Sequence, residues 1–238
     1  MSSIEVSEER GVRYLHFGSE LVQGAMRIAR PWALELEYTR ELMLPLLIRD
    51  DAGYPSSVLQ IGLGAASVTR FLHRHRPQAR VTVVEIDPRV VATAREFFKM
   101  PEESERLRVV VGDGHEFLSA HRGRFDLIVV DGFDEKGRTG SLETVEFYSS
   151  CRAHLTTRGV VSANLLTRRR GIAASEARMR EVFGKNVLVL PPPEAGNTVA
   201  LMATHPPIDD SLEELRRRAE ELRRASGLNL LPALSRLG

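Results

Sequence analysis

The sequence predicts an α/β protein with a doubly wound, mostly parallel sheet of seven strands. From Ser57 onward, apolar runs rich in β-branched residues alternate with stretches of helical periodicity. Strands that are apolar throughout their length are typical of parallel sheets covered by helices on both faces. The chain has 238 residues, which is enough for one sizeable core.

The seven apolar runs follow one another with regular spacing along the chain. We expect strands near residues 57–62, 80–86, 107–111, 125–130, 158–164, 186–190 and 197–204. Segments with helical spacing, such as ASVTRFLHRH and PRVVATAREFF, lie between them, as βαβ units require. This alternation predicts the order of elements that a doubly wound sheet needs.

Two shorter regions flank this core, which we place at residues 53–206. Residues 1–52 form a short annex, with one strand in VRYLHFGS and a helix that begins at Pro31. Residues 207–238 contain DDSLEELRRRAEELRRASG, whose acidic start and spaced Glu and Arg residues predict a helix that ends at Gly227. A solvated helix docked by leucines is one interpretation of this segment, and a dimer contact is the alternative.

Composition narrows the class of protein. The 33 Lys and Arg residues balance 32 Asp and Glu residues, so the chain lacks the basic excess of a dedicated nucleic-acid binder. No run of eighteen apolar residues occurs, and the N-terminus lacks an unbroken apolar region. The single cysteine, Cys151, suits a reducing compartment. We therefore expect a soluble, cytoplasmic protein that binds neither nucleic acid nor membranes.

A glycine turn follows the first core strand, at the end of the sheet where ligands bind in this fold class. The segment IGLGAAS contains Gly62 and Gly64, which allow close approach of the backbone to a ligand. It is an incomplete G-x-G-x-x-G motif with Ser67 in the last place. A tight strand-to-helix turn without a ligand would also explain it.

The next two strands end in acids. Glu85 lies a little over twenty residues after Gly62, the position from which an acid accepts hydrogen bonds from ribose hydroxyls. Asp87 is better explained as the N-cap of the helix that begins at Pro88. Asp113 either accepts a hydrogen bond from the amine of an adenine or caps the following helix. Together these signals predict an adenosine pocket.

The fourth strand, in FDLIVVDGFD, ends with Asp131 and Asp134. Two carboxylates beside an adenosine pocket are suited to holding a cationic amine and accepting its proton. The structural alternative is an Asx-turn at Asp131 and a helix cap at Asp134. A metal site ranks third, because no His or further carboxylate stands at ligand spacing nearby, and we expect no metal.

From about Tyr14 to His205 the sequence resembles the polyamine aminopropyltransferases, the spermidine synthase family. That family has a Rossmann-like fold of the type found in class I AdoMet-dependent methyltransferases. FDLIVVDGFD and EFYSSCRAHLTTRGVVSANL are the most specific part of the resemblance. The resemblance implies that Asp131 is the main catalytic base and Asp134 its partner, and that both bind the amine substrate.

The same resemblance implies the ligands and the remaining contacts. Glu85 would contact the ribose of decarboxylated AdoMet, and Asp113 with Gly114 its adenine. Gln23 would line the donor pocket and Tyr38 the amine pocket. The implied reaction transfers an aminopropyl group to a small amine such as putrescine and releases methylthioadenosine, and the implied assembly is a homodimer.

The chain departs from the family pattern at several positions. The family turn G-G-G-D-G is GLGAAS here, so Ala65 replaces the aspartate that meets the terminal amine of the donor. The pair motif D-S-[ST]-D-P is DGFDE, while Thr39 and Pro192 stand where other polar pocket residues are usual. These changes affect the aminopropyl and amine ends of the site. Two alternatives therefore stay open: an AdoMet-dependent methyltransferase on the same fold, and a non-catalytic nucleoside-binding relative.

Overall fold

A seven-stranded sheet forms the centre of the computed structural model, and a separate three-stranded sheet precedes it. The model describes residues 3–18, 22–49, 53–133, 138–166, 172–192, 196–205 and 210–237. Helices cover both faces of the larger sheet, so the predicted α/β class is confirmed. Among the described residues, no helix has the length and apolar character that a bilayer crossing requires.

The N-terminal region contains more strands and less helix than the sequence predicts. Three strands, β1 (Ile4–Glu9), β2 (Val12–Phe17) and β3 (Val22–Arg27), form an antiparallel sheet. Two short helices follow, α1 (Glu37–Glu41) and α2 (Pro45–Ile48). The helix expected from Pro31 therefore begins only at Glu37, because turns with backbone hydrogen bonds occupy the preceding residues. Pro45 lacks an N–H and starts a second helix instead of continuing the first.

All seven predicted core strands are present. In chain order the core consists of β4 (Ser57–Ile61), α3 (Ser67–His75), β5 (Arg80–Glu85), α4 (Pro88–Phe97), β6 (Leu107–Val111), α5 (Gly114–Ala120), β7 (Phe125–Val130), a 3-10 helix (Gly140–Glu143), α6 (Val145–Ala153), β8 (Leu155–Leu166), α7 (Ala173–Phe183), β9 (Val187–Val189) and β10 (Asn197–Ala203). The spatial order is β6-β5-β4-β7-β8-β10-β9, and only β10 runs antiparallel to its neighbours. The strand order reverses between β4 and β7, where this fold class binds its ligands.

The C-terminal segment forms two helices that dock on the core. In α8 (Leu212–Ser226), Ser211 caps the N-terminus and Gly227, with a φ of 76°, ends the helix as the sequence predicts. Leu215 and Leu222 are buried, which agrees with docking through leucines. A further helix, α9 (Leu231–Ser235), was not expected from the sequence.

Hydrophobic clusters on the two faces of the sheet form the core. One contains residues of α1, α2, α3, α4, α8 and α9, and the other lies under α5, α6 and α7. Helices α1 and α2 pack into the main core. The division of the chain into residues 1–52, 53–206 and 207–238 stays a prediction. A third cluster joins Leu15 and Met26 of the annex sheet to Ala65 and Phe98. The annex sheet is thereby attached beside the strand ends that form the site.

Candidate active site

The turn from β4 to α3 is the backbone frame of the site. Gly62 has a φ of 89°, and a Cβ atom there would lie 2.1 Å from the carbonyl oxygen of Asp131. The N–H of Asp131 donates to the carbonyl of Ile61 at 2.9 Å. A side chain at Gly62 would therefore force the ends of β4 and β7 apart, and only glycine allows this close approach.

The annex sheet lies directly against this turn. A Cβ atom built on Gly64 would stand 3.5 Å from the backbone oxygen of Gln23, and one built on Gly24 only 2.6 Å from the Cβ of Ala65. Ala65 is 2% exposed. Its methyl group faces β3, so the structure brings Gln23 to the glycine turn but gives Ala65 a packing role.

A buried arginine, which the sequence did not single out, fastens the annex to the turn. Arg70 of α3 donates from Nε to the carbonyl of Pro31 at 2.6 Å and from Nη1 to the carbonyl of Phe98 at 2.7 Å. It also donates to the carbonyl of Ala65. Burial lowers the pKa of Arg70 to about 9. The guanidinium of Arg70 thus joins three chain segments around the site through their backbone carbonyls.

Glu85 closes the turn from the end of β5. Its Oε2 accepts the N–H of Leu63 at 2.8 Å, and its Oε1 accepts the N–H of Asp87 at 3.0 Å. Burial raises the pKa of Glu85, and these backbone hydrogen bonds counteract that effect. A carboxylate has about four lone-pair sites, so Glu85 can accept a hydrogen bond from a ligand as well.

The two other acids at this edge cap helices. Asp87 accepts the N–H of Arg89 at 2.9 Å and begins α4, as predicted. Asp113 accepts two backbone N–H groups of α5 through Oδ1, at 2.8 and 3.0 Å. Its Oδ2 has no hydrogen-bond partner among the described residues, so capping leaves one oxygen for a ligand. A Cβ on Gly114 would lie 2.5 Å from the side chain of Ile61. The absence of a side chain at Gly114 therefore allows α5 to start close to the end of β4.

Two exposed apolar side chains neighbour Glu85, one next to it in the chain and one on the paired strand, and sequence reasoning missed both. Ile86 is 68% exposed and Val111 is 53% exposed. Val111 pairs with Glu85 across β5 and β6, so both lie at the same edge of the sheet. Apolar surface beside a few polar groups is typical of a site for a planar base. The apolar residue that directly follows the strand-end acid in VVEID was the available signal.

Asp131 lies at the end of β7 between two hydrogen-bond donors. The side-chain amide of Asn164 on β8 donates to its Oδ1 at 2.8 Å, and the hydroxyl of Tyr38 on α1 lies close enough to the same carboxylate to lower its pKa. Burial raises the pKa of Asp131, Asn164 and Tyr38 lower it, and the charge of Glu85 raises it, with a net pKa of about 6. A carboxyl that titrates close to neutral pH is suited to exchange protons with a substrate.

A second asparagine sets the orientation of the first. Asn197 on β10 donates from Nδ2 to the Oδ1 of Asn164 at 3.2 Å. Because its oxygen accepts this hydrogen bond, the Asn164 amide presents its nitrogen to Asp131. The sequence did not single out either asparagine, since their pairing depends on the register of strands that are distant along the chain.

The remaining predicted residue of the pair, Asp134, lies outside the described residues, and its role stays a prediction. In the part of the chain that the structure describes, no group of three His, Cys, Asp or Glu residues is placed to hold a metal ion. Gly62, Glu85 and Asp113 thus lie at the same edge of the sheet as Asp131, whose buried carboxyl has a pKa raised to about 6.

Known proteins share both the sequence and the fold. Residues 38–204 match the family model described as the spermine/spermidine synthase domain. A polyamine aminopropyltransferase from Chromobacterium violaceum is 37% identical over 237 residues, which cover 100% of this chain and 90% of that protein.

Two solved structures show the same architecture. A probable spermidine synthase from Corynebacterium glutamicum has a TM-score of 0.77 at 22% identity, with 96% of this chain and 92% of that chain covered. A spermidine synthase in complex with the transition-state analogue AdoDATO has a TM-score of 0.67 at 23% identity, with 94% and 84% covered.

Proposed function

The chain belongs to the spermine and spermidine synthase family, and from that premise we propose that it transfers an aminopropyl group from decarboxylated AdoMet to a small amine such as putrescine. The single observation that carries the proposal is the Asp131 carboxyl. It is held by Tyr38 and Asn164 beside the glycine turn, and its pKa is raised to about 6.

The adenosyl half of the donor would bind across the ends of β4, β5 and β6. Glu85 would accept the ribose hydroxyls through its remaining lone pairs, and Oδ2 of Asp113 would accept the adenine amine. Ile86 and Val111 would cover the faces of the base. Gly62, Gly64 and Gly114 keep side chains out of this edge, and Gln23 would contact the donor from β3.

Asp131 would bind the acceptor and take its proton. An alkylammonium is almost wholly protonated at neutral pH, so a nearby carboxylate both attracts it and accepts a proton as the nucleophile forms. The nitrogen lone pair then forms a bond to the methylene carbon next to the sulfonium. The carbon–sulfur bond breaks, its electron pair stays on sulfur, and methylthioadenosine is released.

The protein would accelerate this reaction chiefly by positioning, since the sulfonium is already an activated leaving group. Tyr38 and Asn164 fix the carboxylate of Asp131, and the glycine turn fixes the donor beside it. In this proposal Asp134 assists Asp131 with the amine. We also propose a homodimeric assembly and a cytoplasmic location.

Methyl transfer would use the same adenosyl half of the site, so the donor separates the two activities. Calorimetric titration with methylthioadenosine, decarboxylated AdoMet, AdoMet and S-adenosylhomocysteine measures the preference. We expect the first two to bind more tightly than the last two. The reverse order would favour the methyltransferase alternative and make Asp131 an acid that positions the substrate.

A further inference from the structure

Helix α1 is a single turn that connects the active site with the C-terminal end of the chain. It contains only five residues, Glu37–Glu41, and an isolated helix of this length is not stable in water. Its position must therefore be set by what its side chains contact. Tyr38 contacts the active site, and Glu37 and Glu41 contact Arg236, which directly follows the last helix.

The contact with the active site is between Tyr38 and Asp131, which lie close enough for each to shift the pKa of the other. Burial raises the pKa of the Tyr38 hydroxyl, and the charge of Asp131 raises it further. The hydroxyl therefore stays protonated and is able to donate to the carboxylate. A donor to the ionised form stabilises that form, so the placement of Tyr38 affects how readily Asp131 holds a proton.

The contact on the other side is an ion pair with Arg236, directly after α9. Its Nη2 pairs with Oε1 of Glu41, and its Nη1 lies 3.4 Å from Oε1 of Glu37. The Glu41 side chain is only 3% exposed. Burial raises the pKa of Glu41 and Arg236 counteracts this, so loss of Arg236 would leave a buried carboxylate without its main partner.

The rest of the C-terminal segment holds Arg236 in place. Leu230, Ala233 and Leu234 are buried in the main core cluster. On α8, Arg218 donates to the carbonyl of Leu47 at 3.2 Å and pairs with Asp210. Both C-terminal helices thus dock on the α1–α2 region, and Arg236 is the residue that reaches the helix carrying Tyr38.

We propose that Arg236 is a positioning residue of the active site, which fixes Tyr38 against Asp131 through its ion pair with Glu41 and Glu37. The kinetic test of this role rests on the function proposed above, because it measures aminopropyl transfer to the amine. It gives the C-terminal segment, which lies beyond the residues matched by the family model, a role in the reaction.

The groups around each end define the route of this effect. Asp131 is faced by Tyr38 from α1, Glu85 from β5 and the neutral Asn164 from β8. Glu41 is faced by Arg236 and by Glu37 and Arg40 of its own helix. Among the described groups that set the pKa of Asp131, Tyr38 is the one carried by α1. We therefore expect an effect of Arg236 on Asp131 to pass through Tyr38.

The first experiment compares R236Q with R217Q in amine-saturation and pH-rate measurements. Arg217 pairs with Glu214 and Glu221 on the exposed face of α8 and serves as the matched control. In R236Q we expect kcat/KM for the amine to fall about tenfold, the worth of one hydrogen bond to a charged group, with unchanged methylthioadenosine affinity. The acidic limb of the pH profile should move to higher pH. R217Q should behave like the wild type.

Combination with Y38F tests the route. In the Y38F background, R236Q should produce no further change in the pH profile, because the donor that it displaces is already gone. An equal effect of R236Q in both backgrounds, or an unchanged profile in R236Q alone, would overturn the proposal.

A second measurement does not depend on turnover. The carboxyl carbon resonance of Asp131, assigned with D131N, reports its titration directly. R236Q should raise the apparent pKa of Asp131, and Y38F/R236Q should match Y38F. If R236Q fails to fold, E41Q/R236Q leaves no unpaired buried charge and should show the same upward shift. An unchanged Asp131 titration in the folded variant would overturn the positioning role of Arg236. An inactive wild type would overturn the proposed function, and the titration would still test the positioning role.

Discussion

The side-chain amide of Asn164 donates a hydrogen bond of 2.8 Å to the carboxylate of Asp131 from the neighbouring strand. Asn197 on the next strand orients that amide through a hydrogen bond of 3.2 Å. Three adjacent strands, β7, β8 and β10, thereby hold the group that we assign as the base. The hydrogen bond favours the charged form and offsets part of the burial that raises the pKa of Asp131.

Replacement of Asn164 should move the pH dependence of the reaction. Wild-type kcat/KM should rise with pH through about 6, where Asp131 loses its proton. N164A removes a donor to the charged form, so the acidic limb should move to higher pH. S162A is the matched control, because Ser162 is buried on the same strand and its hydroxyl has no partner among the described residues. An unmoved limb in N164A would contradict the assigned contact.

D131N should abolish turnover without loss of nucleoside binding. The amide keeps the shape of the carboxyl but cannot accept the proton of the amine. Steady-state assays should show no product, while calorimetry should give wild-type affinity for methylthioadenosine. A fully active D131N protein would remove Asp131 from the reaction.

The same variant should become more stable than the wild type as pH rises. The folded state raises the pKa of Asp131 from 3.8 to about 6, so ionisation there disfavours folding. This cost is absent below pH 4, develops between 4 and 6, and reaches at most about 3 kcal/mol above that range. Denaturant unfolding of both proteins from pH 4.5 to 7.5 should show a widening difference. A constant difference would show that the carboxyl is not perturbed.

E85A should weaken the binding of adenosine ligands by about 1–3 kcal/mol, because charge-assisted hydrogen bonds are lost. Calorimetric titration with methylthioadenosine measures the change. D87A is the control, since Asp87 caps α4 next to Glu85 and its loss should cost about 1 kcal/mol of stability with little effect on affinity. Equal affinities of E85A and the wild type would exclude Glu85 from the ribose site.

G62A should destabilise the protein more than G11A. Both glycines have positive φ angles, 89° and 76°, so each alanine costs about 1–2 kcal/mol of backbone strain. A Cβ at Gly11 meets no atom within 4 Å, whereas one at Gly62 meets the carbonyl of Asp131. The clash should add about 1–3 kcal/mol in G62A, measured by urea unfolding. Equal losses in the two variants would show that β4 and β7 separate without cost.

The fold was predictable where burial on both faces of the sheet makes a strand apolar along its whole length. The seven core strands are apolar runs, and each was placed within a few residues. Strands β1 and β3 were missed because they lie in the small annex sheet, and β1 is mostly exposed, which weakens the periodic signal. The helix expected from Pro31 begins late, and α9, with five residues, is too short to give a clear pattern.

The site was predictable to the extent that it depends on strand ends. Gly62, Glu85, Asp113 and Asp131 are found at one edge because parallel strands end there together. Asn164 and Asn197 depend on strand register, which local sequence does not reveal. The resemblance places Ala65 at the aminopropyl end, whereas its side chain packs against Gly24. Strand register and the packing of Ala65 are both set only when the chain is folded.

Analysis of the reaction products shows directly whether the protein transfers an aminopropyl group. The purified protein is incubated with putrescine and either decarboxylated AdoMet or AdoMet, and products are identified by chromatography with mass detection. We expect methylthioadenosine and an aminopropylated amine in equal amounts from decarboxylated AdoMet, and neither product from D131N. Formation of S-adenosylhomocysteine and a methylated product from AdoMet, with no turnover of the decarboxylated donor, would contradict the proposed aminopropyl transfer.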